Sequence, residues 1–122
     1  MSKHNSIGQL GEEMARKYLE ENGYAILATN WRQGHHEIDI IAYYEGTVAF
    51  VEVKTRSSRE YGDPEDFVDK AKQRAYVRMA NRFMSERREE LEEARFDIIS
   101  VTIGSSGYHL EHLRDAFSSI DV

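Results

Sequence analysis

Two short strings in the chain combine acids and a lysine in a way that could handle a phosphate ester: Glu37-Ile38-Asp39 and Glu52-Val53-Lys54. Each lies in a stretch of extended character, Glu37 to Tyr44 and Thr47 to Arg56, and Glu45-Gly46 between them has the composition of a tight hairpin turn. If that turn has two residues, Tyr44 faces Thr47, and counting outward sets Asp39 opposite Glu52 and Glu37 opposite Lys54. Directly opposed side chains lie about 4.5–5.5 Å apart at Cβ, where two carboxylates repel. A divalent cation relieves that repulsion, and Mg²⁺ is commonly held by one or two carboxylates plus water and substrate phosphate. Lys54, two residues from Glu52 and so on the same face of the strand, could stabilise charge on the phosphate or orient the attacking water. The competing reading pairs Glu37 with Lys54 and Asp39 with Arg56 as ordinary cross-strand ion pairs. Against it, Glu52 follows a run that is apolar on both faces, where an ion pair is costly to desolvate. A bulged turn would make the contact diagonal.

The elements that must position these residues can be read from periodicity. Leu10, Met14, Tyr18 and Leu19 recur at helical spacing from about Ser6 to Asn22, and Gly23 suits the residue just past a helix end. Tyr24 to Trp31 is a first extended segment, followed by the two strands of the hairpin. Val48 to Val51 is apolar on both faces, which predicts a central strand. Ser57 to Asp63 reads as loop, with Pro64 suited to a first helical turn. From about Asp69 to Arg87 a helix is expected, with Tyr76, Met79, Ala80 and Phe83 forming its apolar face. Arg95 to Ile103 and Tyr108 to Leu113 read as two further strands across a Ser105-Ser106-Gly107 turn. The order is helix, three strands, helix, two strands: one mixed α/β domain over 1–122.

Composition sets limits. The chain has 122 residues, is 40% hydrophobic and 31% charged, and has no cysteine, so disulfides and thiolate metal sites are excluded. No stretch is apolar enough to span a bilayer and residues 1–5 have no secretory character, which makes the cytoplasm the default location. A net charge of −6 is unlike the basic surplus of most nucleic-acid binders. The charge is unevenly spread, however. Between Lys54 and Arg88 ten basic residues stand against six acids, and the acidic run Glu89, Glu90, Glu92, Glu93 follows.

The secondary signals divide in the same way. Lys70, Arg74, Arg78 and Arg82 recur every four residues on the side of the second helix away from its apolar face, which favours a solvated stripe over a phosphate track. Trp31, Tyr43 and Tyr44 could stack on bases, but aromatic residues in strands more often belong to the core. His109 and His112 flank Glu111, and strand alternation would set them on opposite faces. Arg95 and Asp97 read as supports of the sheet.

An acid on one hairpin strand followed by Glu-x-Lys on the next resembles the PD-(D/E)xK nuclease superfamily, which includes restriction endonucleases and archaeal Holliday junction resolvases. A more detailed resemblance is to the YraN-like family of bacterial proteins. It rests on Gly8-Gln9-Leu10-Gly11-Glu12, Asn30-Trp31-Arg32, Glu37-Ile38-Asp39-Ile40-Ile41, Phe50-Val51-Glu52-Val53-Lys54-Thr55-Arg56, Lys72-Gln73 and Arg95-Phe96-Asp97. The resemblance implies a restriction endonuclease-like core, a central mixed sheet flanked by helices. It implies Mg²⁺ or Mn²⁺ held by Asp39, Glu52 and the Val53 carbonyl, with Lys54 acting on the phosphate or the water. Glu12 resembles the extra acid that resolvase-like members direct at the metal, with Glu13 as its competitor and a solvated first-turn acid as the plainer account. Lys72, Gln73, Arg56 and Arg32 would contact nucleic acid, DNA sooner than RNA. Nucleases of this kind often act as dimers, so a homodimer is compatible, though no residue marks an interface. One departure is visible: His35-His36 stand where the family usually has Gly before Glu37. A His-His-Glu-x-Asp cluster suggests a transition metal, but exposed loop histidines account for it more simply.

The implied activity is metal-dependent cleavage of DNA or RNA, branched or flapped structures included. The alternatives are a binding module without turnover and a scaffold in a nucleic-acid-processing complex.

Overall fold

The run Val48-Ala49-Phe50-Val51 is buried on both faces because its strand is the middle one of a five-stranded sheet. The computed structural model describes residues 6–57, 68–87 and 92–118. Within them the order is α1 (Ser6–Glu21), β1 (Ala25–Gln33), β2 (His36–Tyr44), β3 (Thr47–Ser57), α2 (Lys70–Arg87), β4 (Glu93–Gly104) and β5 (Gly107–Phe117). The spatial order of the strands follows the chain; all neighbours are antiparallel except β3 and β4, which are parallel. A parallel pair needs a long crossover, and α2 lies within it. The sequence expectations match this order. Ser57 ends β3 rather than opening a loop, and β5 runs on to Phe117. The expected loop over 58–63 and the helix start at Pro64 lie outside the described residues.

The two helices cover opposite faces of the sheet. Ala15 and Leu19 of α1 pack on Ile40, Ala42, Val51, Val53 and Ile99. Tyr76, Met79 and Ala80 of α2 pack on Ile41, Val48, Phe50, Phe96 and Ile98, with Phe83 at the margin. Trp31 meets Phe83 edge-on, so this aromatic belongs to the core, as its strand position suggested. Arg74, Arg78 and Arg82 are exposed. No helix among the described residues is long and apolar enough to cross a membrane.

The hairpin register follows from its turn. Glu45 and Gly46 both have positive φ (45° and 83°), the two-residue form whose twist matches the flanking strands. Pairing therefore runs from Tyr44–Thr47 to Ile40–Val51 as counted. The regular ladder stops there, one pair short of Asp39 and Glu52. Alternation in β2 slips at the same point: Ile40 and Ala42 face α1, whereas Ile41 and Ile38 both face α2. Opposite, in β1, Asn30 has a φ of 49°. The strands β2 and β3 part at Asp39, and the gap between them forms the candidate site.

Candidate active site

Where the ladder ends, Asp39 substitutes its side chain for a strand carbonyl: the Val53 amide donates to Asp39 Oδ2 at 2.8 Å. Directly opposed pairing of Asp39 with Glu52 is thereby corrected to an offset arrangement, in which Asp39 reaches past Glu52 to the next residue. Both acids still border the same space. Glu12, Asp39, Glu52, Val53, Lys54 and Arg56 line a cavity of about 520 Å³ at the α1 side. Asp39 and Glu52 also line a cavity of about 460 Å³ toward α2, with His35, His36, Glu37, Lys72 and Tyr76. The gap thus opens to both sides of the sheet, with the acid pair between.

Glu52 is only 6% exposed and is held from α2. Lys72 Nζ lies 2.5 Å from its Oε2, and the Tyr76 hydroxyl donates to Oε1 at 2.5 Å. The placement begins with Asp69, whose Oδ1 accepts from the Lys72 amide at 2.9 Å, an N-cap that fixes the first turn of α2. Lys72 and Tyr76, four apart, then share one helix face. Helical spacing assigns Tyr76 to the core and does not reveal this second role. The available signal was chemical: a buried tyrosine hydroxyl needs a partner.

From the other side α1 approaches β3 closely at Gly11. An alanine Cβ there would fall 1.9 Å from the Thr55 hydroxyl oxygen, so only glycine permits the approach. This contact sets Glu12 beside the acid pair: Glu12 is partly buried, shares a cavity with both acids and raises the Asp39 pKa, while Glu13 is exposed and shares a cavity with Asp39 but not with Glu52. Asn30 joins the outer acids, its Nδ2 donating to Glu37 at 2.8 Å and to Glu12 at 3.4 Å.

The electrostatic result is an acid that resists ionising. Burial first, then the charge of Glu52, pushes the Asp39 carboxyl up to about 8; the Val53 amide and Lys72 oppose this, and Glu12 adds to it. Burial and the same two acids hold the Tyr76 hydroxyl well above its ordinary value, so it remains a donor. Arg32, largely exposed, pairs with Glu37 at 3.1 Å near the cavity mouth. Gln73 is not brought to either cavity: its Nε2 donates to the Val68 carbonyl at 2.9 Å. No three His, Asp or Glu side chains among the described residues converge as a ready metal cage. The acids lining the cavity at the α1 side are Glu12, Asp39 and Glu52.

On the neighbouring strand β4, beside Val51 and on the α1 side of the sheet, Asp97 is fully buried. Arg95 donates to both its oxygens (2.9 and 2.8 Å), His112 Nε2 lies 2.8 Å away, and the Asp115 amide donates at 3.0 Å. Arg95 also reaches the Tyr24 hydroxyl and His112 the Tyr18 hydroxyl, which ties α1 and the residue leading into β1 to β4 and β5. These residues support the sheet, as their strand positions suggested.

Fold and site together define a small α/β protein with a restriction endonuclease-like core: a mixed sheet, helices on both faces, and acids gathered where two strands part. The sequence profile of the uncharacterised protein family UPF0102 matches residues 11–101, and the chain belongs to that YraN-like family. It is 40% identical over 120 residues to a UPF0102 protein of Flavobacterium johnsoniae, covering 96% of this chain and 98% of the relative. It is 44% identical over 117 residues to UPF0102 protein FP2501 of Flavobacterium psychrophilum, covering 96% and 98%. A UPF0102 protein of Bacteroides thetaiotaomicron is 42% identical over 117 residues, covering 96% of each chain.

Proposed function

We propose that this protein is a metal-dependent nuclease hydrolysing phosphodiester bonds in nucleic acid, with Asp39, Glu52 and the Val53 carbonyl as the ligands of Mg²⁺ or Mn²⁺. The observation that carries this reading is the acid pair itself. Two carboxylates border one cavity: Asp39 resists ionising, first through burial and then through the charge of Glu52, and Glu52 already binds a cation, the Lys72 ammonium. That donor set fits a hard divalent ion, which takes carboxylate and carbonyl oxygens.

A bound ion would supply Lewis-acid polarisation of the phosphate and a more acidic water. The chain's own residues do the rest. Asp39 would hold the ion as its carboxylate, the proton passing to solvent, and the Val53 backbone amide keeps that carboxyl in place. Tyr76 fixes the rotamer of Glu52. Lys54, on the wall of the same cavity, is placed to stabilise charge on a phosphate oxygen or to orient the attacking water. Glu12 stands where a second acid could hold water or metal, and Arg56 on the same wall suits a phosphate contact.

With a net charge of −6, affinity for plain duplex would be low, which favours a substrate chosen by shape, such as branched or flapped DNA. The same charge favours a second reading, a binding module or scaffold without turnover. A cleavage screen with Mg²⁺ and Mn²⁺ over single-stranded, duplex, flapped and four-way DNA and RNA separates them. Metal-dependent cleavage lost in Asp39→Asn and Lys54→Ala supports the nuclease. Binding to one substrate without cleavage, equal in both variants, supports the module.

A further inference from the structure

A buried carboxylate beside a second acid needs a counter-ion, and this protein provides one from its own chain. Both oxygens of Glu52 are engaged, by two groups of different character. Tyr76 is 1% exposed and belongs to the packed core, so the oxygen it holds is fixed. The Lys72 side chain is 43% exposed, and only its amide is pinned, by Asp69. The oxygen held by Lys72 can therefore be given up. A lysine ammonium is strongly hydrated and carried on a flexible stem, so release into the open cavity mouth is inexpensive. An ammonium and a divalent ion at the same carboxylate oxygen would exclude each other sterically and repel.

We propose that Lys72 is the resident counter-ion of Glu52, holding the acid pair together without metal and giving up Glu52 Oε2 when a divalent cation binds. The inference rests on the metal site of the nuclease reading and adds a property that the site's ligands alone do not imply. Metal affinity is set by a competition within the protein. Loading the site also frees a positive charge at the mouth of the cavity that His35, His36 and Asp39 border.

The test uses Mn²⁺ as the probe and needs no substrate. Acetylation of individual lysines by an activated ester, followed by mass spectrometry, should show Lys72 reacting several-fold faster once Mn²⁺ saturates the protein, with Lys17 unchanged as internal reference. By calorimetry, Lys72→Met should bind Mn²⁺ about tenfold more tightly, since the competing ion pair is gone. The same variant should melt at a lower temperature without metal and gain more from Mn²⁺ than the wild type does. Suppose instead that Mn²⁺ binds in a manner abolished by Asp39→Asn, yet Lys72 reactivity and Lys72→Met affinity are unchanged. The counter-ion exchange is then wrong while the metal site stands. If Mn²⁺ binds neither the wild type nor Lys72→Met, the metal site falls, and this inference with it.

Discussion

Glu52 and Asp97 are buried acids on adjacent central strands, facing opposite sides of one sheet, and the chain treats them in opposite ways. Around Asp97 the donors are in surplus: a guanidinium on both oxygens, an imidazole and a backbone amide. Burial alone would raise its pKa, but the bonds from His112, Arg95 and the Asp115 amide outweigh burial and hold the carboxyl below its ordinary value. Around Glu52 the acids are in surplus. One ammonium and one hydroxyl serve Glu52, and its neighbour Asp39 is left with a single backbone donor and a pKa raised to about 8. A satisfied buried acid locks strands together. A pair in which one acid has only a single donor lies where the ladder ends and a cavity opens. The difference separates a structural cluster from a candidate site more sharply than burial or residue type does.

The contrast can be broken most forcefully at Asp97. Replacing it by Ala leaves the buried His112 ring and the half-buried Arg95 guanidinium without their acceptor, and urea denaturation should show a loss of about 3 kcal/mol. A loss below about 1 kcal/mol would mean the network is dispensable, and the contrast would dissolve.

The opposite sign is expected at Asp39. Its folded pKa is raised above the unfolded value, so its contribution is fully present below about pH 4 and is lost as pH rises through about 8. With chelator present, Asp39→Asn should match the wild type near the acid end and exceed it by on the order of 1–3 kcal/mol at about pH 9. Unfolding midpoints measured across that range test the claim, and a variant less stable at every pH would sink it.

Tyr76→Phe removes the fixed donor of Glu52 without opening a large void. A cost of about 1–2 kcal/mol in thermal or chemical unfolding is expected. Equal stability would show that the hydroxyl contributes nothing to holding the acid.

The smallest effect should distinguish the two helix acids. Glu12→Gln should weaken Mn²⁺ binding by roughly threefold, from loss of a nearby charge, while Glu13→Gln leaves the isotherm unchanged. Equal effects would remove Glu12 from the site.

Much of this was readable from residue order. The Glu45-Gly46 turn set the hairpin register, and the apolar run from Val48 to Val51 marked the central strand. Tyr76, Met79 and Ala80 gave the buried face of α2. Asp39, Glu52, Lys54 and Glu12 were legible as candidates, and the structure brings all four to one cavity. The end of the ladder at Asp39 was not legible, because counting from a turn assumes unbroken pairing. Nor was Tyr76 as a partner of Glu52, or Lys72 as its counter-ion, since both belong to a helix some twenty positions further along. Gln73, expected near phosphate, turns to Val68.

Local chemistry alone fixed which segments are helices and strands, and which residues could do acid or cation chemistry, because periodicity and turn preference act between near neighbours. Only the folded sheet decided which acid is short of donors and which is fully served. That depends on what distant segments bring within about 3 Å, the range over which a hydrogen bond or ion pair acts.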